Sequence, residues 1–124
     1  MEGITEALHQ ELAPLGIHAT VVEPGFFRTD FLDEQSLLKT ALELPDYDAT
    51  VGAMRKHAEA ANHAQPGDPV KFAEAMLALV NAPKPPQRLA LGSDTVARIE
   101  AKNRFVAEEL AEWNELALST DFKD

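Results

Sequence analysis

The sequence IHATVVEPGFFRT, which spans residues 17–29, decides the fold class of this chain. It begins with a short run rich in β-branched residues that stops at a Pro-Gly dipeptide, and this pattern predicts a β-strand over about residues 17–23. Between residues 3 and 15, apolar side chains recur at spacings of three and four, which is the period of one buried helical face. Gly16 is placed to end that helix, because glycine readily takes the left-handed conformation of a helix C-terminus. A helix joined to a strand by one glycine is typical of an α/β layer.

The rest of the chain predicts further helices and one more strand. Asp68 and Pro69 form a typical N-cap and first-turn pair, and Ser93 and Asp94 are candidates to cap the final helix. Two parallel strands alone leave the hydrogen-bonding groups on their outer edges unpaired. We therefore expect residues 1–124 to form a single incomplete domain, whose two strands belong to a larger sheet. The predicted elements are a short helix around residues 37–42, helices over 47–64 and 69–81, a strand over about 88–92 and a long last helix.

The composition excludes several classes of protein. The formal net charge of −10 would repel a polyphosphate backbone, so nucleic acid is not an expected partner. The absence of cysteine excludes disulfides, thiolate metal sites and cysteine nucleophiles. The N-terminal segment lacks the basic start and apolar run of a secretory signal, and no stretch approaches the length of a membrane span. We therefore expect a cytoplasmic, unanchored protein.

Four segments carry a resemblance to a known family. VVEPGFFRT at residues 21–29 is similar to the sixth strand and following turn of the short-chain dehydrogenases/reductases, where a Pro-Gly-x-x-x-Thr pattern lies at the nicotinamide end of the cofactor. EGITEAL at 2–8 resembles the latter half of the family's helix that begins with the catalytic Tyr-x-x-x-Lys. GDP at 67–69 and RLALGSD at 88–94 resemble the start of the late helix and the seventh strand with its exit. The resemblance implies an α/β fold, namely the C-terminal part of a Rossmann-type three-layer sandwich, mostly helical with two parallel strands.

The resemblance also implies an activity and the residues of a site. It implies an NAD(P)-dependent oxidoreductase that acts on CH-OH groups and transfers hydride between nicotinamide and a carbonyl or alcohol carbon. NAD or NADP is the implied cofactor, and an apolar loop indicates a small apolar carbonyl or alcohol substrate in the full-length parent. The implied cofactor-binding residues are Pro24, Gly25, Phe27 through its backbone, and Thr29. The implied substrate-loop residues are Phe26, Phe31, Leu32, Leu37 and Leu38.

The departures from the family pattern decide what this chain is expected to do alone. No phosphate-cradling glycine cluster is present, because the six glycines stand far apart. The single tyrosine, Tyr47, has Val51 four residues on where the family has lysine. The catalytic serine, tyrosine and lysine therefore have no counterparts, and no catalytic residue is assigned. We expect the chain alone to be inactive and not to retain the dinucleotide by itself, and its sequence specifies neither the substrate nor the choice between NAD and NADP.

Other interpretations of the same residues remain open. The phenylalanines after the Pro-Gly turn are equally suited to filling a core, and if exposed they favour self-association. The chain is then a non-catalytic, mainly helical interaction module, and the family's habit of dimerising through the first and last helices of this region implies a homo-oligomer. A separate chain that supplies the missing half is a third hypothesis. We expect the four histidines to lie on the surface and to bind no metal: His9, His18, His57 and His63.

Overall fold

A computed structural model describes residues 1–42 and 44–122 of the chain. These residues form two strands and four α-helices. The result is a mostly helical α/β unit with one parallel strand pair, as the resemblance implies. The bounds are α1 Glu2–Leu12, β1 Val21–Pro24, α2 Ala53–Ala61, α3 Pro69–Val80, β2 Arg88–Leu91 and α4 Ser93–Leu118.

Strand β1 pairs in parallel with β2, with Val21 opposite Arg88 and Pro24 opposite Leu91. The strand begins at residue 21, later than the predicted position near residue 17. Its partner explains the difference, since the two prolines at residues 85 and 86 have no N–H to extend the ladder. There the Thr20 hydroxyl donates to the Pro86 carbonyl oxygen over 2.6 Å instead.

The glycines at two element ends have the conformation that only glycine adopts readily. A 3₁₀ turn at Ala13–Leu15 follows α1, and Gly16 closes it with a φ of 72°, as predicted. Gly92 has a φ of 107°, which takes the chain out of β2 one residue before the predicted end of that strand and into α4. Both chain reversals therefore depend on glycine.

The segment between β1 and α2 differs most from the prediction. The expected short helix around residues 37–42 is wrong, because the described residues there form turns and extended chain. The Asp33 carbonyl accepts from the N–H groups of both Ser36 and Leu37, which closes a turn, and the Thr40 hydroxyl accepts from the Leu42 N–H. Such local bonds compete with helix formation. The predicted helix over 47–64 is interrupted at its start by a 3₁₀ turn at Pro45–Tyr47 and a π-helical turn at Asp48–Gly52, so regular α-helix begins only with α2.

Two groups of ion pairs tie distant segments together. Arg88 on β2 binds Glu2 and Glu6 on α1, and the hydrogen bond that its guanidinium donates to the Glu6 carboxylate is the main cause that raises the pKa of Arg88. Lys39 binds Glu59 on α2, and its hydrogen bond lowers the pKa of that carboxyl from 4.5. The first helix is thereby attached to the sheet, and the loop after β1 to α2.

Apolar side chains lie half-buried or exposed throughout the described residues, and none is fully buried. On α4, Phe105 is 49% exposed, Leu110 64% and Trp113 59%. Side chains of this size stabilise a fold most when they are buried. Their exposure here leaves large apolar faces uncovered. Among the described helices, none combines the length and the apolar content that a membrane span requires.

Candidate functional site

The carboxyl end of β1 opens into a mainly apolar groove of about 410 Å³. The groove brings together all four residues with an implied cofactor role, Pro24, Gly25, Phe27 and Thr29. Three residues of the implied substrate loop also line it, Phe26, Phe31 and Leu32. Its remaining lining residues come from the segment leading into α3 and from α3 itself, namely Gln65, Pro69 and Phe72.

Two implied substrate-loop residues do not line this groove. Leu37 lies half-buried in the turn that follows the 3₁₀ turn Asp30–Leu32, and Leu38 is 86% exposed. The described residues around 37–42 form turns and extended chain in place of the expected helix. In this structure the apolar loop thus reaches the groove only as far as Leu32.

A single parallel bridge shapes the turn after β1. The Gly67 N–H donates to the Phe26 carbonyl over 3.0 Å, and the Arg28 N–H donates to the Gly67 carbonyl over 2.9 Å. In a parallel pairing of this kind, the N–H and C=O of the intervening residue lie on the opposite side of the chain. Those groups belong to Phe27, and no residue in the described part of the chain pairs with them. The turn therefore presents one free donor and one free acceptor side by side.

The bridge depends on glycine at position 67, because the two segments of the chain approach each other closely there. A Cβ atom at position 67 would lie 2.7 Å from the ring of Phe27 and 2.9 Å from the Phe26 carbonyl oxygen. The Phe27 ring packs edge-on against Phe72 of α3, with ring centroids 5.1 Å apart. Arg28 adds a second link, since its guanidinium donates from Nε and Nη2 to the Gln65 carbonyl over 3.2 and 3.0 Å. The turn is therefore attached firmly to the segment that leads into α3.

Asp94 holds the turn from the other side. Asp94 and Ser93 were predicted to cap α4, and that prediction is wrong, because α4 begins without any side-chain cap. The Asp94 Oδ2 instead accepts from the Phe26 N–H over 2.8 Å. A Cβ at position 25 would lie 2.0 Å from Asp94 Oδ1, so the carboxylate occupies the space that the side chain of any other residue would fill. Gly25 has no positive φ, and glycine is needed there for this contact alone.

The Phe26 ring lies between two other side chains. The Arg98 guanidinium of α4 is 5.2 Å from the ring centroid, and the His57 ring of α2 meets it edge-on at 6.1 Å. Phe26 is half-buried as a result, which fits the alternative prediction that the phenylalanines pack within the fold. Phe31 is 69% exposed and fits the apolar-loop interpretation instead.

Gln65 is one of two residues with a polar side chain among those that line the groove. The residue is 2% exposed, and both Oε1 and Nε2 of its side chain are buried with no hydrogen-bond partner among the described residues. Leaving a buried amide unpaired costs on the order of 1–3 kcal/mol, so such a group calls for an explanation. Thr29 is the other polar side chain of the groove, and its Oγ1 accepts from the Phe31 N–H over 3.4 Å and caps the turn Asp30–Leu32.

The structure also assembles a cluster that the sequence did not indicate. Asp30, Asp33 and His63 each offer one ligand atom within 4.8 Å of the others. Asp33 Oδ1 already accepts from Asn62 over 2.7 Å and lies 3.0 Å from His63 Nε2. These contacts connect the loop after β1 to the end of α2. We assign no metal to the cluster.

Sequence reasoning missed four residues that shape the groove: Gln65, Gly67, Phe72 and Asp94. One signal was available for Asp94, because the carboxyl ends of adjacent parallel strands meet at one edge of a sheet and Asp94 lies three residues after the end of β2. Its interpretation as a helix cap hid that signal. No local pattern marked the packing of Gly67 against the Phe27 ring.

Comparison with known proteins supports the resemblance. The oxidoreductase BOA17 of Botryotinia fuckeliana is 32% identical over 118 residues, which are 95% of this chain and 42% of that protein. An uncharacterized oxidoreductase of Schizosaccharomyces pombe is 31% identical over 121 residues, 97% of this chain and 40% of that protein. The crystal structure of a short-chain dehydrogenase from Streptomyces avermitilis superposes with a TM-score of 0.81 at 37% identity, over 98% of this chain and 43% of that one. No protein-family model matches.

The chain spans about two fifths of the length of these relatives. Sequence and fold agree on the assignment, since the relatives that match along the chain are oxidoreductases and the structural neighbour is a short-chain dehydrogenase. This chain therefore belongs to the short-chain dehydrogenase/reductase family, as a stretch of less than half the length of the relatives that it matches.

Proposed function

We propose that this chain forms the nicotinamide-binding and substrate-facing wall of an NAD(P)-dependent oxidoreductase acting on a small apolar carbonyl or alcohol, and that it has no turnover alone. The observation that carries the proposal is the free N–H and C=O of Phe27 at the edge of an apolar groove. A carboxamide offers one acceptor and two donors, so it complements that pair of backbone groups.

The residues of the groove fit one end of the dinucleotide and not the other. Phe27 would hold the carboxamide through its backbone, Thr29 offers a hydroxyl nearby, and Pro24 and Gly25 line the groove beside them. Clustered glycine N–H groups are the usual cradle for the phosphates of a dinucleotide, and the glycines of this chain are dispersed. The chain is therefore suited to the nicotinamide end and supplies no glycine-rich cradle for the diphosphate.

Hydride transfer is the chemistry that a bound nicotinamide supplies. What this chain contributes is orientation and the exclusion of water. The edge-on packing of Phe27 on Phe72 keeps the groove wall apolar, and Phe31 and Leu32 extend that wall along the loop. An apolar wall strengthens the few polar contacts made beside it, because water competes less well there. Among the described residues that line the groove, none has an ionisable side chain that could act as the acid or base.

A turnover assay tests the catalytic half of the proposal. The chain, at micromolar concentration, is mixed with NADH or NADPH and a panel of aliphatic and aromatic aldehydes and ketones, and absorbance at the cofactor band is followed. We expect no loss above a protein-free control. Steady oxidation of the cofactor would contradict the proposal, because it would require a catalytic acid that we do not find here.

A binding experiment tests the other half. Nicotinamide mononucleotide, which carries the ring and a single phosphate, is titrated into the ¹⁵N-labelled chain and backbone amide shifts are recorded. We expect a dissociation constant on the order of 1 mM or weaker, because a single small contact contributes only about 4 kcal/mol. The shifts should concentrate at Phe27 and Thr29. Shifts confined to residues outside the groove would refute the placement.

Self-association is the second candidate function, and one observation favours it. Every large apolar side chain of α4 remains half-buried or exposed, with Trp113 and Leu110 both more than half exposed. We infer that these faces bury one another in a homo-oligomer. Sedimentation equilibrium between about 10 and 500 µM measures this directly, since a typical specific interface gives affinities within or below that range. A strict monomer of 13.6 kDa throughout would rule the module out.

A further inference from the structure

Asp94 connects two parts of the chain that lie far apart in sequence. It is the second residue of α4, and its half-buried carboxylate accepts the Phe26 N–H from a turn 68 residues earlier. A carboxylate in the first turn of a helix most often serves that helix, by capping it or by facing its dipole. Here the hydrogen bond instead goes to the turn that lines the groove.

Two glycines make room for this carboxylate. A Cβ at Gly25 would lie 2.0 Å from Oδ1 and one at Gly92 would lie 2.7 Å from the same atom. Both distances are well inside ordinary van der Waals contact, which begins near 3.4 Å. The carboxylate thus fits between the end of β1 and the end of β2, in space that a side chain at either glycine would take.

The turn is consequently held at two successive points. Asp94 fixes the peptide group between Gly25 and Phe26, and the bridge to Gly67 fixes the Phe26 carbonyl and the Arg28 N–H. Phe27 lies between these two points, so its free N–H and C=O have little freedom to reorient. Donors and acceptors held in advance bind better than mobile ones, because less conformational entropy is lost on binding.

We propose that Asp94 is a positioning residue, which holds the turn so that the backbone of Phe27 faces a bound nicotinamide carboxamide. The inference rests on the proposed function, and it adds a residue outside the implied motif. Asp94 acts through the turn and does not itself touch the cofactor. An acceptor oxygen at this position is what the role requires, so asparagine is expected to replace aspartate, whereas alanine is not.

Three variants of the full chain test this role. Asp94→Ala removes the acceptor, and Asp94→Asn keeps an acceptor oxygen of the same reach. Thr20→Val is the matched control, because it removes the 2.6 Å hydrogen bond to Pro86 at the opposite end of the same strand pair. For each variant, nicotinamide mononucleotide affinity is measured from the Phe27 amide shift, and hydrogen exchange of the Phe26 amide is measured without ligand.

We expect Asp94→Ala to weaken binding about tenfold, the equivalent of ~1.4 kcal/mol, while Asp94→Asn stays within about twofold of the parent chain. Thr20→Val should leave affinity unchanged even where it lowers stability. The Phe26 amide should exchange slowly in the parent chain and the asparagine variant, and quickly in the alanine variant. If Asp94 had only a general stabilising role, Thr20→Val and Asp94→Ala would weaken binding alike.

The outcomes separate this inference from the proposed function. The inference is overturned if Asp94→Ala binds with unchanged affinity, or if the Phe26 amide exchanges equally in the parent chain, Asp94→Ala and Asp94→Asn. Binding at Phe27 would still support the proposed function in that case. Absence of nicotinamide binding to the parent chain overturns the function and, with it, the positioning of a cofactor. Slow Phe26 exchange that depends on Asp94 would then show that the carboxylate only stabilises the turn.

Discussion

Substituting Gly25 by alanine tests the contact on which the groove depends. The new Cβ would meet Asp94 Oδ1 at 2.0 Å and both Cγ and Oδ2 at 2.5 Å. Because all three atoms of the carboxylate group are too close, rotation of its end cannot relieve the clash. The Asp94 side chain must leave the site, and the Phe26 N–H loses its acceptor.

The magnitude follows from two contributions. Losing a hydrogen bond to a charged acceptor in a half-buried place costs about 1.5–3 kcal/mol. Overpacking that moves the neighbouring backbone costs about 1–3 kcal/mol more. We therefore expect Gly25→Ala to lower the free energy of unfolding by about 2.5–6 kcal/mol, which is a large share of the stability of a small domain.

Urea unfolding followed by far-UV circular dichroism measures this free energy, and a double-mutant cycle isolates its cause. In an Asp94→Ala background the space beside residue 25 is empty, so Gly25→Ala should cost less than about 1 kcal/mol, because Gly25 has no positive φ. Gly3→Ala is the control, since a Cβ there meets nothing within 4 Å, and alanine in a helix should stabilise it by about 0.5–1 kcal/mol. An equal penalty for Gly25→Ala in both backgrounds would refute the reasoning.

Three further predictions concern the groove and its loop. Gln65→Met should leave the melting temperature unchanged or raise it, because it removes a buried amide without a partner, and a drop of more than about 5 °C in a thermal scan would mean that this amide is bonded in the folded chain. Gly67→Ala should cost about 1–3 kcal/mol in urea unfolding and shift the ring resonances of Phe27, since the new Cβ would lie 2.7 Å from that ring, and unaltered ring shifts would contradict the packing. Lys39→Met should return the Glu59 pKa toward 4.5, as measured by carboxyl ¹³C shifts. In the parent chain this pKa is lowered on folding, so the stabilisation by the pair is present above pH 4.5 and is lost as the pH falls through the folded-state value, and a carboxyl pKa that the substitution leaves unchanged would refute the pairing.

The sequence specified those parts of the fold that depend on local chemistry. Gly16 ends the first helix as predicted, and Asp68 caps α3, with its carboxylate accepting from the Val70 N–H over 2.8 Å. Both predictions rest on interactions within a few residues, which a single sequence displays directly. The parallel pairing of β1 and β2 came from the family resemblance and is confirmed.

The errors arose where a distant partner decides the conformation. The start of β1 was misplaced because the end of the ladder is set by the prolines before β2, which lie more than sixty residues downstream. Asp94 was interpreted as a helix cap because local spacing allowed it, whereas its real partner is Phe26. The Pro-Gly dipeptide was interpreted only as the end of the strand, whereas the structure shows that a Cβ at position 25 would overlap the Asp94 carboxylate from another element.

The site was predictable in its residues and less so in its extent. Pro24, Gly25, Phe27 and Thr29 all line one groove, although only a ligand experiment tests their roles. Leu37 and Leu38 were implied by the resemblance to the family's substrate loop, but they do not line this groove. They follow a turn that the Asp33 carbonyl closes, and the sequence pattern did not predict that turn.

Intermolecular nuclear Overhauser effects test the central claim most directly. The ¹³C,¹⁵N-labelled chain is mixed with unlabelled nicotinamide mononucleotide, and contacts between the ring protons of the ligand and the protein are recorded. We expect contacts from the ring to Phe27 and Thr29, and to Pro24 at the end of β1. Contacts that arise only elsewhere, for example along the loop near Lys39, or no contacts at saturating ligand, would contradict the assignment of this turn to a nicotinamide.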